Sequence, residues 1–182
     1  GIINNSGLPV TINNNPNAEL FFRGSSTAGN ATINNDLGIL IFVDTSTAGS
    51  ATIDSFSSSF FFQDNASAGT ATITVNGGGV AFIGNSTAAN ATIISNAGLN
   101  FWENSTAGNA GITVSTTGFM LLLDNATLGI ATVRNDGGIQ LDNNTTLGNS
   151  IITNNSFMAL RDNSTAGSAT VTSNGFVDFA GN

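Results

Sequence analysis

Along most of the chain, apolar positions fall in pairs two residues apart, and the pairs return about every 20 residues. One pair is Ala with Ile or Val around a Thr: Ala31-Thr32-Ile33, Ala51-Thr52-Ile53, Ala71-Thr72-Ile73, Ala91-Thr92-Ile93, Ala131-Thr132-Val133 and Ala169-Thr170-Val171. The other starts at Leu20, Leu40, Phe60, Val80, Leu99, Met120, Ile139, Met158 and Val177, and closes two residues later at Phe22, Phe42, Phe62, Phe82, Phe101, Leu122, Leu141, Leu160 and Phe179. A spacing of two predicts strands, with these residues facing inward and Thr facing outward. No 3.6-residue period is present, and the Thr, Asn, Gly and Ser content disfavours helix.

Copies differ in length by one residue, at 19, 20 or 21, mainly between the Ile position and the Leu/Phe pair: compare Asn34-Asn35-Asp36-Leu37-Gly38 with Asn96-Ala97-Gly98. Length variation belongs in turns. Each copy therefore reads as strand, Asn/Gly turn, strand, Asp-Asn turn, a short extended Ser-Thr-Ala and a Gly-Asn corner. Such a unit is one coil of a parallel β-solenoid (β-helix), stacked on the next at about 4.8 Å. The expected fold is all-β, one domain over 1–182, right-handed as parallel crossovers are, with about nine coils of 19–21 residues. Residues 1–9 form an atypical N-terminal partial coil, 10–168 form eight coils, and 169–182 form an incomplete last coil.

Composition then removes most chemistry. The chain has no Cys, His, Lys or Tyr, and its only cations are Arg23, Arg134 and Arg161. Catalytic Ser-His-Asp and Cys-His sites, His or thiolate zinc sites, Schiff-base lysines and P-loops are excluded by missing side chains, so no enzyme is expected. A formal charge of −8 with 8% charged residues excludes a nucleic-acid partner, which needs clustered Lys and Arg. No run of 18 apolar residues spans a membrane. Hydrophobic residues at 40%, with 13 Phe, exclude disorder. The many Asn-x-Ser/Thr sites, among them Asn85, Asn104, Asn125 and Asn163, are by-products of the repeated turn.

Three features are candidate sites. Asp44 and Asp64 fall one coil apart, as do Glu103 and Asp124. Carboxylates about 5 Å apart repel by roughly 1 kcal/mol in water and about 3 at an effective dielectric near 20. Calcium is one means of offsetting this; splaying at the turn to accept backbone N–H bonds is the other. The outward Thr positions (Thr11, Thr32, Thr52, Thr72, Thr92) suggest an ice-binding array, broken in its second column by Asp54, Ile94 and Arg134. The third feature is the outward side of the Leu-x-Phe strand. Phe21, Ile41, Val43, Phe61, Ile83, Trp102, Leu121 and Leu123 make an apolar stripe where polar residues are expected, and a strand apolar on both faces is normally covered on both. Contact with another copy or a partner is expected there. No polar capping segment is evident at either end, so self-association is expected laterally or head to tail.

The consensus Ala-Thr-Ile-x-Asn-x-Gly-x-Leu-x-Phe-x-Asp-Asn-Ser-Thr-Ala-Gly-Asn, clearest at 31–50 and 91–109, resembles the β-helical repeats of bacterial autotransporter and adhesin passengers. The resemblance covers about residues 10–182. It implies an extracellular or outer-surface bacterial location, a structural or adhesive role as filament subunit or passenger stalk, and a surface glycan or host ligand as partner. The alternatives are a carbohydrate-active β-helix, working through pairs such as Asp44 and Asp64, or an ice-binding solenoid.

Overall fold

The computed structural model describes residues 8–56 and 59–181. Residues 1–7 of the expected N-terminal partial coil, and Asn182, lie outside the described residues. Among those described there is no helix, and the chain builds two nine-stranded sheets, every strand pairing in parallel with its counterparts one coil before and after. This is the expected parallel β-solenoid. The first sheet carries the Thr-Ile strands, from Thr11–Asn14 through Thr32–Asn35 to Thr170–Ser173. The second carries the Leu-x-Phe strands, from Glu19–Phe22 through Ile39–Phe42 to Phe176–Gly181.

Pairing is in register throughout, so that Ile33 lies between Ile12 and Ile53, and Phe62 between Phe42 and Phe82. From the inward Phe or Leu of each second-sheet strand to the start of the next first-sheet strand the step is constant: Phe22 to Thr32, Phe82 to Thr92, Leu141 to Ile151, Leu160 to Thr170. Length variation is confined to the corner between the two sheets, as in 36–38 against 96–97. The constant segment holds a third, short side. There Thr27, Thr47, Ser67, Thr87, Thr106, Thr127, Thr146 and Thr165 pair as single parallel bridges.

Burial follows the alternation. Ala31, Ile33, Leu40 and Phe42 point inward with their repeats, and Ala48, Ala68, Ala88 and Ala107 fill the core from the third side. Phe22, Phe42, Phe62, Phe82 and Phe101 stack as parallel rings 4.5–4.9 Å apart and within 10° of coplanar. The strand spacing imposes that distance, and it lies within the range of favourable aromatic contacts.

The sequence pattern places Asn35 in a turn; the structure instead ends the strand on it with the side chain inside. Asn14, Asn35, Ser55, Ser95, Asn135 and Asn154 lie in one buried column, interrupted by Val75 and Val114. A buried amide needs partners, and the register supplies them one coil away. Asn14 Nδ2 donates to Asn35 Oδ1 at 2.7 Å and to the Ile39 carbonyl at 2.8 Å, Asn35 Nδ2 to Ser55 Oγ at 3.2 Å, and Asn135 Nδ2 to the Phe157 carbonyl at 2.8 Å. The amides thus join the first sheet to the second across the variable corner.

The Ser-Thr-Ala-Gly motif has a local cause. Thr47 Oγ1 accepts the Gly49 N–H at 3.0 Å, the Ala51 N–H closes the turn on the Ala48 carbonyl at 3.1 Å, and Gly49 adopts φ +64°. A Cβ there would lie 2.7 Å from the Gly29 carbonyl oxygen. Ala89 takes the same left-handed conformation at φ 53°, at a cost of about 1 kcal/mol to an L residue. Ala89→Gly should therefore raise stability by about 1 kcal/mol, read as a higher urea midpoint. Beside this corner the buried Ser46, Ser86 and Ser105 hydroxyls have no partner, while Ala66 and Ala126 occupy the equivalent place. Ser86→Ala should stabilise the protein by about 1 kcal/mol by removing an unsatisfied polar group, and a lower melting temperature would contradict this account.

Candidate contact face and acidic corner

The outer face of the second sheet is where the structure gathers the sequence-derived contact residues. Phe21, Ile41, Phe61 and Leu121 occupy the middle of their strands on this face, and Val43, Ile83, Trp102 and Leu123 follow at the strand ends. All eight are half-buried. The register stacks Phe21 on Ile41 and Ile41 on Phe61, so the stripe runs along the axis, with Asn100 as a polar break between Ala81 and Leu121. Two residues outside that set extend it: Ile39, half-buried, and Phe119, 40% exposed, precede the middle position of their strands. Their signal was present in the unbroken apolar runs 39–43 and 119–123.

Relief on this face comes from small residues. Ala81 lies between Phe61 and Asn100 in the neighbouring strands and is buried, and Gly79 lies beside Gly98. A depression of about 280 Å³ results, lined by Phe60, Phe61, Gly78, Gly79, Val80, Ala81, Asn100 and Trp102. Trp102 Nε1 is covered and has no acceptor. Charge appears only toward the ends of the face. In the first rung the Arg23 guanidinium sits 4.3 Å over the Phe21 ring. In the seventh, Gln140 Nε2 donates to both oxygens of Asp142, at 3.0 and 2.8 Å.

The acidic column lies at the next corner. Asp44, Asp64, Glu103, Asp124 and Asp162 have φ between 54° and 63°, in the same left-handed place that Gly24, Gly84 and Asn143 take in other coils. Their side chains turn along the axis. Asp44 Oδ2 accepts the Gly24 N–H at 2.8 Å, Asp64 Oδ2 the Asp44 N–H at 3.4 Å, Asp124 Oδ2 the Glu103 N–H at 3.1 Å, and Asp162 Oδ2 the Asn143 N–H at 3.0 Å. Asn143 Oδ1 does the same for the Asp124 N–H at 3.1 Å. The four Asp side chains and Asn143 thus cap the backbone of the coil before them, which offsets part of the repulsion between stacked carboxylates. Of the two arrangements open to these side chains, this is the amide-capping one. The four residues weighed as calcium ligands, Asp44, Asp64, Glu103 and Asp124, stand in single file, and no group of three His, Cys, Asp or Glu suited to a metal ion occurs among the described residues.

Elsewhere the exposed Asn104, Asn125, Asn144 and Asn163 link in an amide row at 3.3–3.5 Å. On the first sheet the Thr column is interrupted by Gly111 and Ile151. Arg134 pairs with Asp136 at 2.7 Å. That hydrogen bond, joined by one from Asn155, holds Asp136 below the usual carboxylate range, and it raises Arg134 in turn.

No protein-family model, no curated protein and no solved structure matches this chain.

If the corner carboxylates act as acceptors for the preceding coil, Asp124→Ala should destabilise the solenoid by about 1 kcal/mol, while Asp124→Asn stays within about 0.5 kcal/mol, because an amide oxygen already serves at 143. Chemical denaturation of the two variants measures the difference.

Proposed function

We propose that this solenoid is a structural and adhesive rod of a bacterial extracellular surface, acting through a face rather than through a pocket. The observation that carries this reading is the largely apolar stripe from Phe21 to Leu123 on the outside of the second sheet, broken at Gln63 and Asn100. A contiguous apolar patch of several hundred Å² marks a contact site on a soluble protein. In-register strands hold it flat and rigid without reorganisation on binding. The surface location and the role as stalk or filament element rest on the resemblance of the repeat to autotransporter and adhesin passengers.

Polysaccharide cleavage draws less support, since Asp44 and Asp64 each have an oxygen engaged with a backbone N–H of the preceding coil. Ice binding draws less as well, because Gly111 and Ile151 interrupt the Thr column.

Fluorescently labelled rod should attach to methyl-terminated beads and to intact bacterial cells. Ile41→Lys combined with Leu121→Lys should lower attachment by about tenfold or more. Thr92→Lys, on the outer face of the first sheet, should leave it unchanged, with circular dichroism confirming the fold of each variant. Equal attachment by all three proteins would refute the face reading.

A further inference from the structure

We propose that the occupant of this face is the same face of a second copy of the chain, related by a two-fold axis parallel to the solenoid axis; the proposal rests on the contact-face reading above. Area is the first argument. The first eight strands, about 4.8 Å apart and each offering about 17 Å of outward-facing length, give a footprint of about 570 Å² per copy before side-chain relief is counted. That is close to the about 600 Å² per partner at the lower end of stable interfaces.

Charge selects the orientation. A chain at −8 pairs with itself most readily where the acidic corners of the two copies are kept apart. An axis along the strands would run both acidic corners down one edge of the pair, setting Asp44 and Asp64 of one copy along the acidic corner of the other. An axis along the solenoid reverses the strands of the second copy and sends the two acidic corners to opposite edges. It also sets each rung against the same rung of the second copy, so that the residue before the middle of a strand meets the residue after it. Glu19 then meets Arg23.

Size follows the same rule. Gly79 would face Ile83 and Gly98 would face Trp102, the smallest residues of the face against two of its largest. The depression beside Ala81 would take up part of that bulk. Middle positions would meet their own copies: Phe21 on Phe21, Ile41 on Ile41, Leu121 on Leu121, and in the last rung Asp178 on Asp178, the one middle position where this axis sets like charges together.

Sedimentation equilibrium of the purified chain should give a mass near twice 18.4 kDa that falls on dilution, with the emission of Trp102, the single tryptophan, shifting to the red as copies separate. Leu121→Glu sets two carboxylates against each other and should raise the dissociation constant by about tenfold or more. The chain has no cysteine, so Ile41→Cys carries one thiol. A bis-maleimide reaching the about 10 Å between packed sheets should link it into dimers, while Thr92→Cys stays single. A single-chain mass at every concentration overturns the proposal, leaving the contact-face reading to be judged by the bead and cell assay. A dimer in which Ile41→Cys links no better than Thr92→Cys overturns the rung-on-rung pairing.

Discussion

In-register parallel stacking is the constraint from which the rest of this molecule follows. Each residue lies on its counterpart in the next coil at the strand spacing, so a choice made once is repeated along the rod. Aromatic rings gain from this: the five phenylalanines from Phe22 to Phe101 lie nearly coplanar at 4.5–4.9 Å. Amides gain too, because each carries both a donor and an acceptor and can bond to a copy of itself. Charges lose, because like sits on like. Hence the chain has few charged groups and places its aligned carboxylates at an exposed corner rather than in a strand.

Many polar groups find their partners along the axis, one coil away. Asn135 and Asn154 are fully buried, yet Asn135 Nδ2 reaches Asn154 Oδ1 at 2.6 Å and a carbonyl of the other sheet. Asp44, Asp124 and Asp162 serve the coil before them in the same way. Stability is then close to a sum of neighbour terms, and each side chain is judged by the contact it makes one coil away. The left-handed corners show the tension in that scheme. Where backbone passes close to backbone, as at Gly49, glycine avoids the contact a Cβ would make, and Ala89 takes the same place at a cost. At the acidic corner an Asp is tolerated because its carboxylate returns a hydrogen bond.

Function, in this picture, belongs to surfaces that the stack extends. The first sheet presents a mixed Thr, Asn and charged face. The second presents an apolar one, relieved at Gly79, Ala81 and Gly98 and bounded by Arg23 near one end and Asp142 toward the other. A rod with one such face is suited to contact along its length.

Much of this was legible beforehand, and the reasons are specific. The period of about 20, the spacing of two and the placement of length changes read out the strands, the variable corner and the inward Ile, Leu and Phe columns, because burial on a strand depends only on alternation and repeats expose it nine times over. The apolar stripe was legible for the same reason, as a failure of alternation at Phe21, Ile41, Phe61 and Leu121. Asn35 was not, since a buried and an exposed Asn look alike until the Ser or Asn one coil away is seen to meet it. Nor was the direction taken by Asp44 and Asp124. The sequence by itself determined the coil, its register and its core. Only the tertiary structure decided which polar side chains turn inward and which carboxylates cap a neighbouring backbone, because those choices depend on donors and acceptors about 20 residues away in sequence, brought within hydrogen-bond reach by stacking alone.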